Sequence, residues 1–297
     1  MRPPRIGFVG FGEAAQCFAA HLAKQDVGPI LAYCHGRVNR PPYSDAFVAQ
    51  AARSGVTLVD KLESLSDRDV IFSAVVVAAA RTTGEAIAKI IRSDALVVDI
   101  NASTPATKKY VAKAVEAHGG LFADANLMGA VSLYGAKVPL YTSGGGAEQF
   151  ARTFAPLGFT IDVAGSEAGM AAAVKMLRSV VTKGIEALVV EALTAASLAG
   201  VRQEAMRGIC DTMDATTFSK FVDMCIRTDV LHAERRAVEM EGVRDGLQEL
   251  GLPPVMTEAV VKRLRLSSDS ALRNMFSERR SYSADDVLDA YHQKALA

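Results

Sequence analysis

Short apolar runs bounded by Gly, Pro, Asp or Ser recur through the first half of the chain, at 5–9, 29–34, 56–59, 69–77, 95–100 and 120–125. Amphipathic helical stretches fall between them, for example at 85–92 and 107–118. The runs are continuously apolar rather than alternating, which predicts parallel strands buried on both faces beneath helices. Two further strand-like runs, 138–144 and 159–165, flank a helix over 147–154. A Rossmann-like, doubly wound, mostly parallel sheet over residues 1–165 is the expectation.

Beyond Gly165 the period changes from strand to helix. "AAAVKMLRSVVTKGIEALVVEALTAASLAG" (171–200) predicts one long helix, followed by helices broken at Gly200, 251–254, 267–268 and 281–283. An all-helical second domain over 166–297, beginning with the long interdomain helix, is therefore predicted, and the whole is an α/β fold.

Composition narrows the function. Half of the 297 residues are hydrophobic and 22% are charged, as in a globular protein rather than a disordered one. Lys+Arg and Asp+Glu both number 33, which argues against a nucleic-acid partner. The longest apolar run, 70–80, is too short for a bilayer, where roughly 20 residues are needed. Cys17, Cys34, Cys210 and Cys225 are scattered without metal-type spacing, which predicts free thiols, no metal site and a reducing, cytoplasmic setting.

"IGFVGFGEAA" places Gly10, Phe11, Gly12, Glu13, Ala14 and Ala15 after the first strand and at the start of a helix. In this G-x-G-x-x-A loop, Gly10 permits the tight turn, Gly12 admits a pyrophosphate and Ala15 keeps helix and strand close. The helix N-terminus presents free N–H groups to phosphates. NAD binders place a carboxylate at the end of the second strand. Here that end reads Tyr33-Cys34-His35-Gly36-Arg37, and Arg37 and Arg40 lean the expectation from NAD towards NADP.

Ligands of such sheets bind beyond the carboxyl ends of the strands. Val75, Asn101, Asn126 and the run Met128-Gly129-Ala130 lie at such ends. Asn101 and Asn126 read equally as ligand-orienting groups or as turn residues, and Asp99 and Asp124 as turn caps. On the long helix Lys175 and Ser179 share a face, continued by Lys183 and Glu186. By spacing alone Lys175 is either a snorkelling surface lysine or a functional one. His232, Arg235 and Arg236 form a cationic helix face that either holds a carboxylate or pairs with Glu239. His21 and His118 read as surface residues.

These features resemble the β-hydroxyacid dehydrogenases, the group that includes 3-hydroxyisobutyrate and 6-phosphogluconate dehydrogenases. The markers occur in order: "GFVGFGEAA", "VVDINASTP", "LFADANLMGAV" and "GSEAGMAAAVKMLRS". The resemblance runs to about Gly200 and implies hydride transfer between nicotinamide and the carbinol carbon of a 3-hydroxy acid, with or without decarboxylation. By the same resemblance Lys175 is the catalytic acid/base. Asn101, Met128, Gly129, Ala130 and Ser179 stand at substrate-contacting positions, with Lys183 and Arg235 as further candidates. The cofactor set is Gly10, Phe11, Gly12, Glu13, Ala14, His35, Arg37, Val75 and Asn101.

An ordinary lysine titrates at about 10.4, so a base working at neutrality needs neighbours that disfavour its cation; apolar residues, Arg178 and Lys183 are those neighbours in sequence. Met128, Gly129 and Ala130 replace a Ser-Gly-Gly segment, and Arg178 and Ser179 replace an Asn pair, which points away from the usual small hydroxyacids. The resemblance also implies a homodimer or higher homo-oligomer and a small-molecule substrate. An imine or ketone reductase on the same scaffold, and a non-catalytic NADP-binding sensor, are the alternatives.

Overall fold

The computed structural model describes residues 3–25 and 27–296 and divides into two compact units, Met1–Ser179 and Val180–Ala297. The first is built on eight strands: β1 (Ile6–Val9), β2 (Ile30–Tyr33), β3 (Val56–Leu58), β4 (Val70–Ser73), β5 (Leu96–Asp99), β6 (Leu121–Leu127), β7 (Leu140–Ser143) and β8 (Ile161–Gly165). They form a single sheet in the order β3-β2-β1-β4-β5-β6-β7-β8. β1 to β6 are parallel, β7 runs antiparallel to β6, and β8 is parallel to β7. The reversal at β7 follows from its connection. The connection from β6, residues 128–139, holds only the short helix α5 (Val131–Tyr134) and a 3-10 turn, without the longer helix that usually carries a parallel crossover.

Alternation along each strand sends neighbouring side chains to opposite faces. Phe8, Phe72 and Val98 pack on one face with Phe18 and Leu22 of α1 (Glu13–Leu22), Phe47 of α2 (Asp45–Arg53), and Phe150 and Phe154 of α6 (Ala147–Phe154). Val9, Ile71 and Val97 pack on the other with Ile87 of α3 (Ala80–Ile90) and Val111 and Val115 of α4 (Pro105–Ala117). The Phe8 and Phe72 rings stack across β1 and β4 at 4.9 Å. Two covered faces are the reason these strands read as unbroken apolar runs, and every run predicted to be a strand forms one. The helix expected over 85–92 starts earlier, at Ala80.

Helix α7 (Met170–Leu198) begins in the first unit and ends in the second. The second unit continues with α8 (Arg202–Asp214), α9 (Phe218–Glu249), α10 (Val255–Asp269), α11 (Leu272–Ser277) and α12 (Ala284–Leu296). Helices α10, α11 and α12 pack on α9, the last two around Val230, Leu272, Phe276, Val287 and Ala290. Glu191 of α7 receives the Met256 and Thr257 amides at 2.7 and 2.8 Å, capping α10. This core is small. Val180, Ile185, Val189 and Val190 of α7, Met206 and Met213 of α8, and Phe218 and Val222 of α9 are exposed.

Three helical details differ from the pattern reading. The break expected at 267–268 falls later, at Ser270 and Ala271, the latter with φ +57°. A break at Ala215–Thr217 was not signalled by Gly or Pro; Thr217 starts α9 by accepting the Lys220 amide. His21 is not a surface residue: its Nε2 lies 2.6 Å from the Leu157 carbonyl oxygen and its ring meets Phe159 edge-on. Among the described residues, no helix is long and apolar enough to cross a membrane.

Candidate functional site

Strand order reverses its direction of growth between β1 and β4, and a cavity of 650 Å³ opens there. Gly10, at the end of β1, has φ +89°, and a Cβ on it would fall 2.1 Å from the Ala74 carbonyl oxygen. Only glycine allows β1 and β4 to close at this point. Nothing lies within 4 Å of a Cβ built on Gly12, so the space over the N-terminus of α1 is open. Ala15 is fully buried, which lets α1 lie close to the sheet. A helix N-terminus facing an open crevice suits a pyrophosphate.

Phe11, His35, Arg37 and Val75 line the same cavity, as do Thr82 and Thr83 of α3. Glu13 and Ala14 form the first turn of α1 and do not line it, and neither does Arg40. The loop bearing His35 and Arg37 is held by Tyr43, whose hydroxyl accepts the Cys34 amide at 3.0 Å and lies 3.0 Å from the Val59 carbonyl. Burial pushes the Tyr43 hydroxyl up to about 12, so it stays protonated. Burial likewise pushes the Cys34 thiol up to about 11, which makes it an inert floor residue.

Asn101 is 3% exposed and, unlike Val75, does not line the cavity. Its Oδ1 accepts the Val75 amide at 2.6 Å and its Nδ2 donates to Ser73 Oγ at 2.9 Å, tying the ends of β4 and β5 together. Asn126 is also buried, donating to Asp124 Oδ1 at 2.8 Å. Met128 and Gly129 are half-buried and Ala130 is exposed at the end of β6. A Cβ on Gly129 would meet the Tyr134 ring at 2.9 Å, so Gly129 allows Tyr134 to fold back over it.

Lys175 is half-buried on the first part of α7, and Ser179 Oγ donates to its backbone carbonyl at 2.9 Å. The start of that helix is fixed by Asp124, whose Oδ2 accepts the Gly169 and Ala172 amides at 3.1 Å each. Ser143 Oγ accepts the Ala171 amide at 3.0 Å. Asp124 and Asp99 share a fully buried cation, Lys108 of α4, at 3.1 Å from a carboxylate oxygen of each. Burial pushes the Asp99 carboxyl up, and the Lys108 ammonium opposes that shift.

Sequence reasoning passed over Lys108, because a lysine in an amphipathic helical stretch reads as solvated. The available signal was that Lys108 is preceded by Pro105, which fixes the helix start and so fixes the face on which Lys108 falls.

Lys183 and Arg235 belong to the second unit, and that unit places them in separate depressions. Exposed Lys183 lines a groove of 410 Å³ with Glu186, Glu191 and Met256. Arg235 pairs with Glu239 and shares a depression with His232 and Arg273. Arg236 turns away to Thr228, 3.0 Å distant.

Comparison with known proteins follows the same division. Residues 5–103 match the model of the family described as NADP oxidoreductase, coenzyme F420-dependent. Residues 196–267 match DUF1932, a domain of unknown function. The conserved protein MTH1747, described as structurally similar to 3-hydroxyacid dehydrogenases, is 32% identical, with 91% of this chain and 98% of that one covered and a TM-score of 0.61. An uncharacterized 28.5 kDa protein of Methanothermus fervidus is 27% identical over 256 residues, 85% of this chain and 94% of that protein. The imine reductase of Myxococcus stipitatus in complex with NADP+ shares the fold at 16% identity, with 93% and 100% coverage and a TM-score of 0.73.

Proposed function

The chain belongs to the β-hydroxyacid dehydrogenase-like family; on that premise we propose that it is an NAD(P)-dependent oxidoreductase acting on the carbinol carbon of a 3-hydroxy acid, with Lys175 as general acid/base. The observation that carries the proposal is the glycine-built crevice between β1 and β4; Lys175 lies on α7 of the same unit, half-buried and outside the crevice lining. Gly10, Phe11 and Gly12 would hold the pyrophosphate, Val75 the wall beside it, and Arg37 the 2′-phosphate of NADP, which makes NADP the preferred form. When bound, the nicotinamide supplies or accepts the hydride.

The chain's own residues handle the proton and the substrate. Lys175 Nζ takes the hydroxyl proton as the alcohol is oxidised, or returns it in reduction, a contribution of roughly 10²–10⁴-fold. Ser179 keeps its hydroxyl lone pairs for a substrate donor while its proton serves the Lys175 carbonyl. Met128 replaces a hydroxyl-bearing position with a thioether, and exposed Leu133 and Tyr134 follow it in the chain. That apolar segment supports a larger, more apolar substrate than the small hydroxyacids. The exposed apolar residues of α7, α8 and α9 in the second unit support a homodimer formed through that unit.

The test is a substrate panel of small, bulky and aromatic 3-hydroxy acids, with imines alongside, run with NAD and NADP on the wild type and on Lys175→Ala. The expected outcome is NADP-linked oxidation of a bulky 3-hydroxy acid, lost in the variant while NADPH still binds. Unimpaired turnover in Lys175→Ala removes the lysine from the chemistry, and turnover of imines alone moves the enzyme to the reductase class. Binding of NADPH with no turnover anywhere in the panel identifies a sensor.

A further inference from the structure

One buried cation joins the cofactor crevice to the helix that carries Lys175. Lys108 Nζ donates to the Asp99 carbonyl oxygen at 2.8 Å and lies 3.1 Å from both Asp99 Oδ1 and Asp124 Oδ1, with no exposed surface. These three acceptors match the three donors of an ammonium. Among the described residues no other cation lies within ion-pair distance of either carboxylate.

Each carboxylate reaches a different part of the site. Asp99 Oδ1 accepts the Asn101 amide at 2.9 Å, and the Asn101 side chain in turn holds the Val75 amide and Ser73 Oγ, on the wall of the crevice. Asp124 Oδ2 accepts the Gly169 and Ala172 amides and so fixes the first turn of α7. Gly169, with φ +93°, lies so near α4 that a Cβ on it would come within 2.9 Å of the Pro105 carbonyl oxygen. The start of α7 is therefore pressed on the turn that precedes Lys108. Loss of the ammonium would leave two buried carboxylates facing each other, and one would have to protonate or withdraw.

A lysine that only stabilised the core would have its acceptors anywhere. Here they are the two carboxylates that separately set the crevice wall and the α7 start. We propose that Lys108 is a positioning residue that couples the cofactor crevice to the first turn of α7, so that ordering of the wall by a bound dinucleotide is transmitted to the helix bearing Lys175. This rests on the reading of the crevice as a dinucleotide site.

The test uses 2′-phospho-ADP-ribose, the NADP molecule without its nicotinamide ring, so that an effect at α7 reports on the protein's own connections. Binding is measured by calorimetry, and amide hydrogen exchange of peptides covering 167–176 is followed with and without saturating ligand. The informative variant is Lys108→Met/Asp99→Asn. It removes one cation and one anion together; the side-chain amide oxygen introduced at position 99 can still accept the Asn101 amide, and Asp124 still caps α7. A second variant, Asn101→Ala, cuts the connection on the crevice side and leaves the ion cluster intact.

The expected result is several-fold slowing of exchange at 167–176 on ligand binding in the wild type, and loss of that slowing in both variants at saturation. Retained slowing in the variants, or none in the wild type despite binding, overturns the coupling alone. Failure of the wild type to bind overturns the dinucleotide reading and the coupling with it. If the double variant does not fold, Asn101→Ala decides the question.

Discussion

The Asp124 carboxylate and the Ala172 amide are 3.1 Å apart, a bond that sets where α7 begins, within one helical turn of Lys175. A helix start has four amides without intrahelical partners. In α7 the Gly169, Ala171 and Ala172 amides are taken by Asp124 and Ser143, both buried on β6 and β7. The position of Lys175 therefore descends from the sheet rather than from a surface loop.

Replacing Asp124 tests that descent. Asp124→Ala leaves two α7 amides and one of the three Lys108 N–H donors without acceptors, and breaking a buried pair in this way costs ~3–5 kcal/mol. Asp124→Asn keeps an acceptor for the amides and should lose markedly less. Urea unfolding at neutral pH measures both, and equal losses would show that the cap contributes nothing of its own.

The two loop glycines separate folding from binding. Gly10→Ala places a methyl group against the Ala74 carbonyl at a backbone angle that alanine disfavours. It should lower the thermal midpoint and abolish NADPH fluorescence enhancement together. Gly12→Ala meets no atom within 4 Å, so its stability should stay within about 0.5 kcal/mol of wild type. Its NADPH affinity should nevertheless fall, because the methyl group occupies the space meant for the pyrophosphate. Unchanged affinity in Gly12→Ala would mean that the phosphates lie elsewhere.

In the function proposed above, Arg37 is the residue on which cofactor choice turns. It lines the crevice at the end of β2, where no carboxylate is present. Charge-assisted hydrogen bonds to a phosphate contribute ~1.5–3 kcal/mol, so Arg37→Ala should weaken NADPH by about tenfold or more and leave NADH unchanged. Parallel titrations with the two cofactors decide it. Equal weakening of both would assign Arg37 to the adenosine ribose or pyrophosphate instead.

Much of this architecture was legible in the residue pattern, for identifiable physical reasons. Strands such as 70–73 and 96–99 are buried on both faces, so no polar residue interrupts them, and their ends are marked by Ser73 and Asp99. The crevice was legible because a tight turn against Ala74 demands glycine at 10. What stayed hidden was long-range pairing of polar groups. Beyond the helix start that Pro105 fixes, residue type does not distinguish Lys108 from Lys109, although one is fully buried and the other exposed. Asn101 could not be resolved between ligand and scaffold, because its partner Val75 is brought to it by sheet order. The helix boundary at Ala215–Thr217 was missed for a related reason, since Thr217 caps α9 without a glycine or proline to announce it.

A carboxylate at the amino-terminal ends of the strands, opposite the site, should make stability depend on pH. Asp69, at the start of β4, accepts the backbone amide of Arg5 at 2.8 Å and its Nε and Nη2 at 3.1 Å, and takes a further bond from Arg92 at 2.8 Å. Hydrogen bonding from the Arg5 side chain, with its charge and that of Arg92 added, holds the Asp69 carboxyl below its ordinary value despite partial burial. A carboxyl depressed in the folded state stabilises the fold above its unfolded value of about 3.9 and loses that contribution as pH falls through the folded value. Asp69→Asn keeps an acceptor for the Arg5 amide but loses the charge. It should therefore melt below wild type at neutral pH, and the gap should close as the pH is lowered beneath the ordinary carboxylate range. Thermal melts of both proteins across that range, at low salt to limit screening, measure the gap; one that stays constant into strong acid would place the contribution in packing rather than in charge.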